Sequence, residues 1–513
     1  MKRIIALILC AAMAACLFAG CTEETPVDTP TGGLTDSDTP TIPTDPVTGA
    51  QRIALAYDST ADLNPLSSKS YTNRALFSLI YQALFTVSND YECSPVLCKT
   101  YNISADMMTY TFYLEEALFS DGTALTAADV AATLEAARSS SFYGGRLQHV
   151  DSVSAYGSAV VVELETPMDN LPLLLDIPIV KASQVSAESP LGTGPYRMDD
   201  GQLKRVAGWW CSASLPVSSD TIPLVDSDSN AQIQEAFELR QVSLVCADPA
   251  DHSYVPFHGD YELWDSENGL FLYLVCNSKS KIFSNDALRA ALTYAIDRDK
   301  LVEECYSGFA YSATLPASPQ SPYYNDNLAS KYAYDPQRFQ TALDESGLTE
   351  ELAEGEQLTL TLLLNADDPL RLEVGEVIAA MLEGYGFAVT LTKATGSNFV
   401  TLLKRGNYDL YLAQTKLSAN MDLSAFFGSG TSLNYGGLTN ASLHELSLAA
   451  LANAGNYYSL HEKIASDGQL CPILFQSYAV YVRRGALTGL DPARDAIFYY
   501  DLGRTMDDAW IKE

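Results

Sequence analysis

Between residues 358 and 392 the sequence allows little besides one folding unit. Leu358 to Leu364 is an apolar run of strand length, and Val374, Val377, Ile378, Met381, Leu382 and Tyr385 then recur at helical spacing. Gly384 and Gly386 end that helix, and Phe387 to Thr392 reads as a returning strand. Strand, helix and strand in this order imply a parallel pair joined by a right-handed crossover. The unit therefore commits its surroundings to a layered α/β architecture.

The rest of the chain alternates in the same way. Ile53 to Tyr57 reads as a strand, and a helix is expected from about Thr72 to Phe85 on a stripe of Leu76, Leu79, Ile80 and Leu84. Thr109 to Leu114 and Val160 to Leu164 read as strands. Phe119-Ser120-Asp121-Gly122-Thr123 is a tight turn, and Thr126 is placed to cap a helix from Ala127 to Arg138. In Ser284 to Ile296 the residues Leu288, Ala291, Leu292, Ala295 and Ile296 form one buried helical face. No repeat of solenoid length is visible. The roughly 460 residues after position 50 exceed one ordinary core, so two or three lobes are expected.

The N-terminal segment has a different character. Lys2 and Arg3 precede an apolar run from Ile4 to Phe18, too short to span a bilayer comfortably and suited to a secretory signal. The run closes on Leu17-Phe18-Ala19-Gly20-Cys21, which resembles a bacterial lipobox and marks Cys21 for lipidation. Residues 22–50 are rich in Thr, Pro and Asp with few large hydrophobes, so they read as a disordered tether. The expected location is the extracellular face of a bacterial cell membrane, held by lipid.

Charge narrows the partners. With 31 Lys and Arg against 64 Asp and Glu, the net charge of −33 opposes nucleic-acid binding, which needs cations on phosphates. Seven cysteines remain beyond the lipobox (Cys93, Cys98, Cys211, Cys246, Cys276, Cys305 and Cys471), an odd and scattered set unlike a disulfide framework. Of the five histidines, His252 and His258 lie near Asp248 and Asp251, a spacing more typical of a solvated loop than of a metal site. Gly192-Thr193-Gly194 resembles a phosphate loop, but Pro195 removes an amide such a loop needs. No nucleophile elbow, phosphate-binding Walker loop or zinc-protease motif is present. No catalytic residue, metal or cofactor is expected.

Several blocks carry a family likeness. Thr109-Tyr110-Thr111-Phe112-Tyr113-Leu114, Phe119-Ser120-Asp121-Gly122-Thr123 and Leu125-Thr126-Ala127-Ala128-Asp129-Val130 resemble one continuous signature of the family 5 extracellular solute-binding proteins. Gly192-Thr193-Gly194-Pro195-Tyr196, Leu288 to Arg298, Tyr334-Asp335-Pro336 and Asn407-Tyr408-Asp409 are similar to further landmarks in the same order. The resemblance implies a two-lobed periplasmic-binding-protein-like fold with an extra small inserted domain. It implies a discontinuous lobe I from 51–88, 182–277 and 477–513, an insert over 89–181 and a lobe II over 278–476. It also implies capture of peptides or peptide-like solutes by hinged closure, for delivery to an ABC permease, by a monomer. Receptors for a metal chelate or opine, or a repurposed sensor, adhesin or folding helper, remain alternatives.

Ligand contacts are expected from Tyr57, Ser59 and Thr60 at the end of the first strand, from Asn277 at a crossing between lobes, and from Asn434 and Tyr435. The family's oligopeptide binders carry an acid after the strand that follows Asn407-Tyr408-Asp409. Here that place falls near Ser418 or Ala419, with Gln414, Thr415 and Lys416 just before it and Asp422 just after. Lys416 in the pocket would suit a carboxylate; alternatively it extends to solvent.

Overall fold

In the computed structural model the described residues are 53–483, apart from 215, 216, 218 and 351. The leader, Cys21, the tether and residues 484–513 assigned to lobe I lie outside them.

After β1 (Leu55–Tyr57) the expected long helix is divided into Tyr71–Arg74 and Phe77–Ile80. The cause is tertiary. The amide of Gly194 donates to the carbonyl of Ile80 (2.9 Å), and the chain turns extended at Tyr81. A Cβ at Gly192 would stand 2.2 Å from that carbonyl oxygen, so the Gly-Thr-Gly triplet exists for close backbone approach. A hairpin of β2 (Phe85–Val87) and β3 (Cys93–Pro95) follows. Next come β4 (Cys98–Ile103), β5 (Thr109–Leu114), β6 (Val150–Tyr156) and β7 (Ala159–Leu164), an antiparallel sheet in the order β4-β5-β7-β6. The helix Ala127–Ala137 packs on this sheet, its entry fixed by Asp129, whose carboxylate accepts from the amide (2.9 Å) and hydroxyl (2.6 Å) of Thr126.

The large sheet is built from β1 and ten later strands. These are β8 (Tyr196–Asp199), β9 (Gln202–Arg205), β10 (Thr221–Asp226), β11 (Leu244–Ala247), β12 (Tyr261–Cys276), β13 (Ala310–Ser312), β14 (Leu358–Asn365), β15 (Phe387–Ala394), β16 (Leu410–Lys416) and β17 (Leu470–Arg483). Their order is β15-β14-β16-β12-β17-β11-β1-β10-β9-β8, with β13 also on β17. The expected unit at 358–392 is present: β14 and β15 pair in parallel from Leu358↔Phe387 to Asn365↔Ala394, joined by the helix Pro369–Glu383. The helix expected over 284–296 is α-helical only from Asp286 to Ala291 and tightens to a 3-10 turn over Leu292–Ala295, while its apolar face is buried as read.

Two long strands join the halves. β12 and β17 run antiparallel along nearly their whole length, from Tyr261↔Arg483 to Val275↔Leu470. Their register shifts between Glu267 and Phe271, where Gly269 takes φ +74° and three residues of β12 have no counterpart on β17. Beyond the shift lie separate cores. One, with Ile53, Leu55, Phe112, Val130, Tyr196 and Ile222, unites β1, β8 and β10 with the β4–β7 sheet and its helix; two others cover the two faces of the β14–β16 half. All seven cysteines within the described residues are free.

Candidate functional site

Strand directions locate the site. β1, β10 and β11 are parallel, and β11 runs against β17 so that its carboxy end, Ala247, lies opposite Ala479. β14, β15 and β16 are parallel, and β16 runs against β12 so that its carboxy end, Lys416, lies opposite Leu270. Since β12 and β17 oppose each other, the carboxy ends of the two half-sheets converge on the middle of the β12–β17 ribbon. Carboxy ends of parallel strands are where open α/β sheets receive ligands.

In the first half-sheet, the end of β1 is locked by Asn73, which accepts from the Asp58 amide and donates to its carbonyl, both at 2.9 Å. Just beyond Tyr57, Ser59 donates to Asp226 from its amide (3.0 Å) and hydroxyl (2.7 Å), and Thr60 donates likewise to Asp58 (3.0 and 2.6 Å). Past β11, the Asp248 side chain accepts from the Ala250 amide (2.9 Å). Burial, together with the negative charges of Asp251 and Asp368, pushes this carboxyl up to about 6.

On the ribbon, Gln476 and Tyr478 share one face of β17. The Tyr478 hydroxyl donates to that of Tyr71 (3.1 Å), and the rings meet edge to face at 5.4 Å. Tyr71 keeps 49% of its surface exposed, unusual for an aromatic held this way. The Gln476 amide donates to Gln414 Oε1 (2.7 Å) and to the Tyr306 hydroxyl (3.4 Å), whereas its own Oε1 is buried without a partner among the described residues. In the second half-sheet, just past β14, Asp368 caps the helix Pro369–Glu383 through the Arg371 amide (3.1 Å) and holds Arg371 Nε at 2.8 Å.

The residues expected from sequence divide by place. Tyr57, Ser59, Thr60, Gln414, Thr415 and Lys416 all stand at the converging ends; Thr415 is half-buried and Lys416 exposed. Asn277 is instead at the opposite end of β12. There it is buried, donating to the carbonyls of Gly406 and Tyr408 (both 2.8 Å), because the loop before β16 needs those carbonyls satisfied. Asp422 faces the segment just before β6 rather than the ribbon, accepting from Gln148 (2.5 Å), His149 Nε2 (2.8 Å) and the Ser424 amide (2.8 Å). Burial would raise its pKa, but His149 and the Ser424 amide outweigh that and hold it below the usual carboxylate range. Asn434 donates to the carbonyls of Phe426 (3.0 Å) and Gly428 (2.9 Å), and the half-buried Tyr435 packs on a core of the β14–β16 half. Trp209 and Trp210 donate to Thr193 O and Gln82 Oε1, both at 2.8 Å, in the core that holds β1 and β8. Sequence reasoning missed Asp248, Gln476, Tyr71 and Tyr478, which meet only through long-range strand pairing; the Asp368-Pro369 cap signal was available locally.

Residues 92–436 match the family described as bacterial extracellular solute-binding proteins, family 5 Middle. The chain belongs to this family. Family 5 proteins bind small peptides or other solutes and deliver them to ABC permeases, without transforming them. Among curated proteins, the glutathione-binding protein GsiB of Pectobacterium atrosepticum is 30% identical over 330 residues, covering 59% of this chain and 62% of that protein. The chain thus spans about three fifths of the length of the curated relatives it matches. Among solved structures, NikA from Brucella suis in complex with Fe(III)-EDTA shares the family 5 fold with TM-score 0.68 at 21% identity, over 87% of this chain and 98% of that one. A putative peptide binding protein, AppA from Clostridium difficile, gives TM-score 0.70 at 16% identity, over 88% and 99%.

Proposed function

We propose that this family 5 protein is a lipid-anchored receptor for short peptides or peptide-like solutes, closing around its ligand and presenting it to an ABC permease. The observation that carries the reading is the convergence of two sets of strand ends on one bulged ribbon, which supplies polar ends from both lobes and one place to bend. In this reading lobe I comprises 51–88, 182–277 and 477–513, the insert 89–181 and lobe II 278–476. The relatives named for glutathione and peptides support a ligand with amide groups. Gln414 and Gln476 offer complementary donors and acceptors to such groups. Cys21 carries the lipid and the leader before it directs export; Cys21→Ala is expected to move the protein from the membrane fraction to the medium or soluble extract.

The deciding experiment is a thermal-stability screen of the purified protein against short peptides, glutathione, chelated metals and opines. A ligand at 100 times its Kd stabilises by about 2.7 kcal/mol, which a melting curve resolves readily. A shift with peptides supports the reading. A shift confined to chelates or opines replaces it with the non-peptide alternative.

A further inference from the structure

The acid that oligopeptide binders carry after the strand equivalent to β16 is absent here, where Ser418 and Ala419 stand instead. Another carboxylate occupies the converging ends. Asp248 follows β11 directly, and among the described residues its carboxylate accepts one hydrogen bond, from the Ala250 amide in its own turn. Among the described residues it has no Lys, Arg or His partner; its charged neighbours are Asp251 on its own loop and Asp368 across the ribbon on lobe II. Its charge reaches the hydroxyls of Tyr71 on the helix Tyr71–Arg74 and Tyr478 on β17, and the thiol of Cys246 on β11. Arg371, the cation beside Asp368, is held by that residue.

A second, independent observation lies beside it on β17. Gln476 is 2% exposed, its amide nitrogen is engaged by Gln414 and Tyr306, and its Oε1 has no partner among the described residues. A buried amide oxygen left in this state costs about 1–3 kcal/mol unless a donor arrives. Tyr478, two residues on, places the exposed ring of Tyr71 on the lobe I side of the same face.

We propose that Asp248 receives a free primary ammonium group of the ligand, with Gln476 Oε1 accepting from an adjacent N–H and the Tyr71–Tyr478 pair walling the lobe I side. This rests on the peptide reading above and sharpens it: the specificity-determining acid belongs to lobe I, and the ligand class is one with an unblocked amino terminus. A carboxylate desolvated among like charges is unfavourable alone, and an ammonium resolves that penalty while forming a charge-assisted hydrogen bond.

The test uses the full-length chain in detergent, titrated calorimetrically with trialanine and with glutathione, each with a free and with an acetylated amino group. The free forms are expected to bind roughly ten- to hundredfold more tightly than the acetylated ones, the range for losing a hydrogen bond to a charged group. Asp248→Asn should abolish that difference while melting no lower than the parent. Affinity of the free forms should fall as pH drops from about 7 to about 5, as Asp248 takes up a proton, and should be flat in Asp248→Asn. Equal binding of free and acetylated forms, or a discrimination that survives Asp248→Asn, overturns the assignment and leaves the peptide reading intact. Failure of every free probe to bind the parent protein overturns both.

Discussion

His461 sits on the helix Tyr457–Asp467 with both ring nitrogens buried and without hydrogen-bond partners among the described residues, beside Tyr457 at 5.8 Å between ring centroids. Burial alone pushes its pKa down to about 3. The unfolded chain therefore takes up this proton near pH 6.5 while the folded protein resists it, so stability falls as pH drops from about 6.5 towards 3. At pH 5 the difference amounts to about 2 kcal/mol. His461→Leu, close in volume and free of polar atoms, should hold stability at pH 7 and flatten that acid limb in urea titrations. An unchanged pH dependence would show that other groups dominate acid unfolding. The three Asp422 partners present a related case, since the carboxylate that reads as a pocket residue in the linear sequence is committed to His149 and Gln148, just before β6.

Elements that depend on local chemistry were legible in the sequence. Thr126 and Asp129 fix a helix start within four residues, and the glycines after Glu383 stop a helix whose apolar stripe is unbroken. Parallel β14 and β15 followed from that one stripe. What escaped was decided at a distance. Nothing near Ile80 announces that Gly194 will take its carbonyl, so the stripe from Leu76 to Leu84 reads as one helix although it ends at Ile80. The polar residues of the site, Asp248 just past β11 and Gln476 and Tyr478 on β17, are far apart in the chain and come together only in the folded sheet. Gly192→Ala tests the long-range part directly. Its methyl group would enter the Ile80 carbonyl and the Tyr81 ring, at 2.2 and 2.5 Å, so a loss of about 3 kcal/mol or more in chemical denaturation is expected. Gly122→Ala is the informative control, because nothing lies within 4 Å of its Cβ and only its φ of +83° opposes the change.

At the scale of the molecule, a net charge of −33 surrounds a site whose converging ends include Asp58, Asp226, Asp248 and Asp368. A field of this sign draws cations before contact. Lysine-containing tripeptides should associate faster than glutamate-containing ones of equal length at low salt. The difference should collapse as ionic strength rises from about 0.01 M to about 1 M, where the screening length shrinks from roughly 30 Å to 3 Å. Stopped-flow rates that do not respond to salt would exclude steering. The ribbon itself carries a consequence for biogenesis. β17 lies between β11 and β12 and also pairs with β13, yet it comes after all of them in the chain. A growing polypeptide thus lacks the central strand of its largest sheet until residues 470–483 have been made. Such late, long-range closure is slow, so the two halves of the sheet stay unjoined for as long as residues 470–483 are missing.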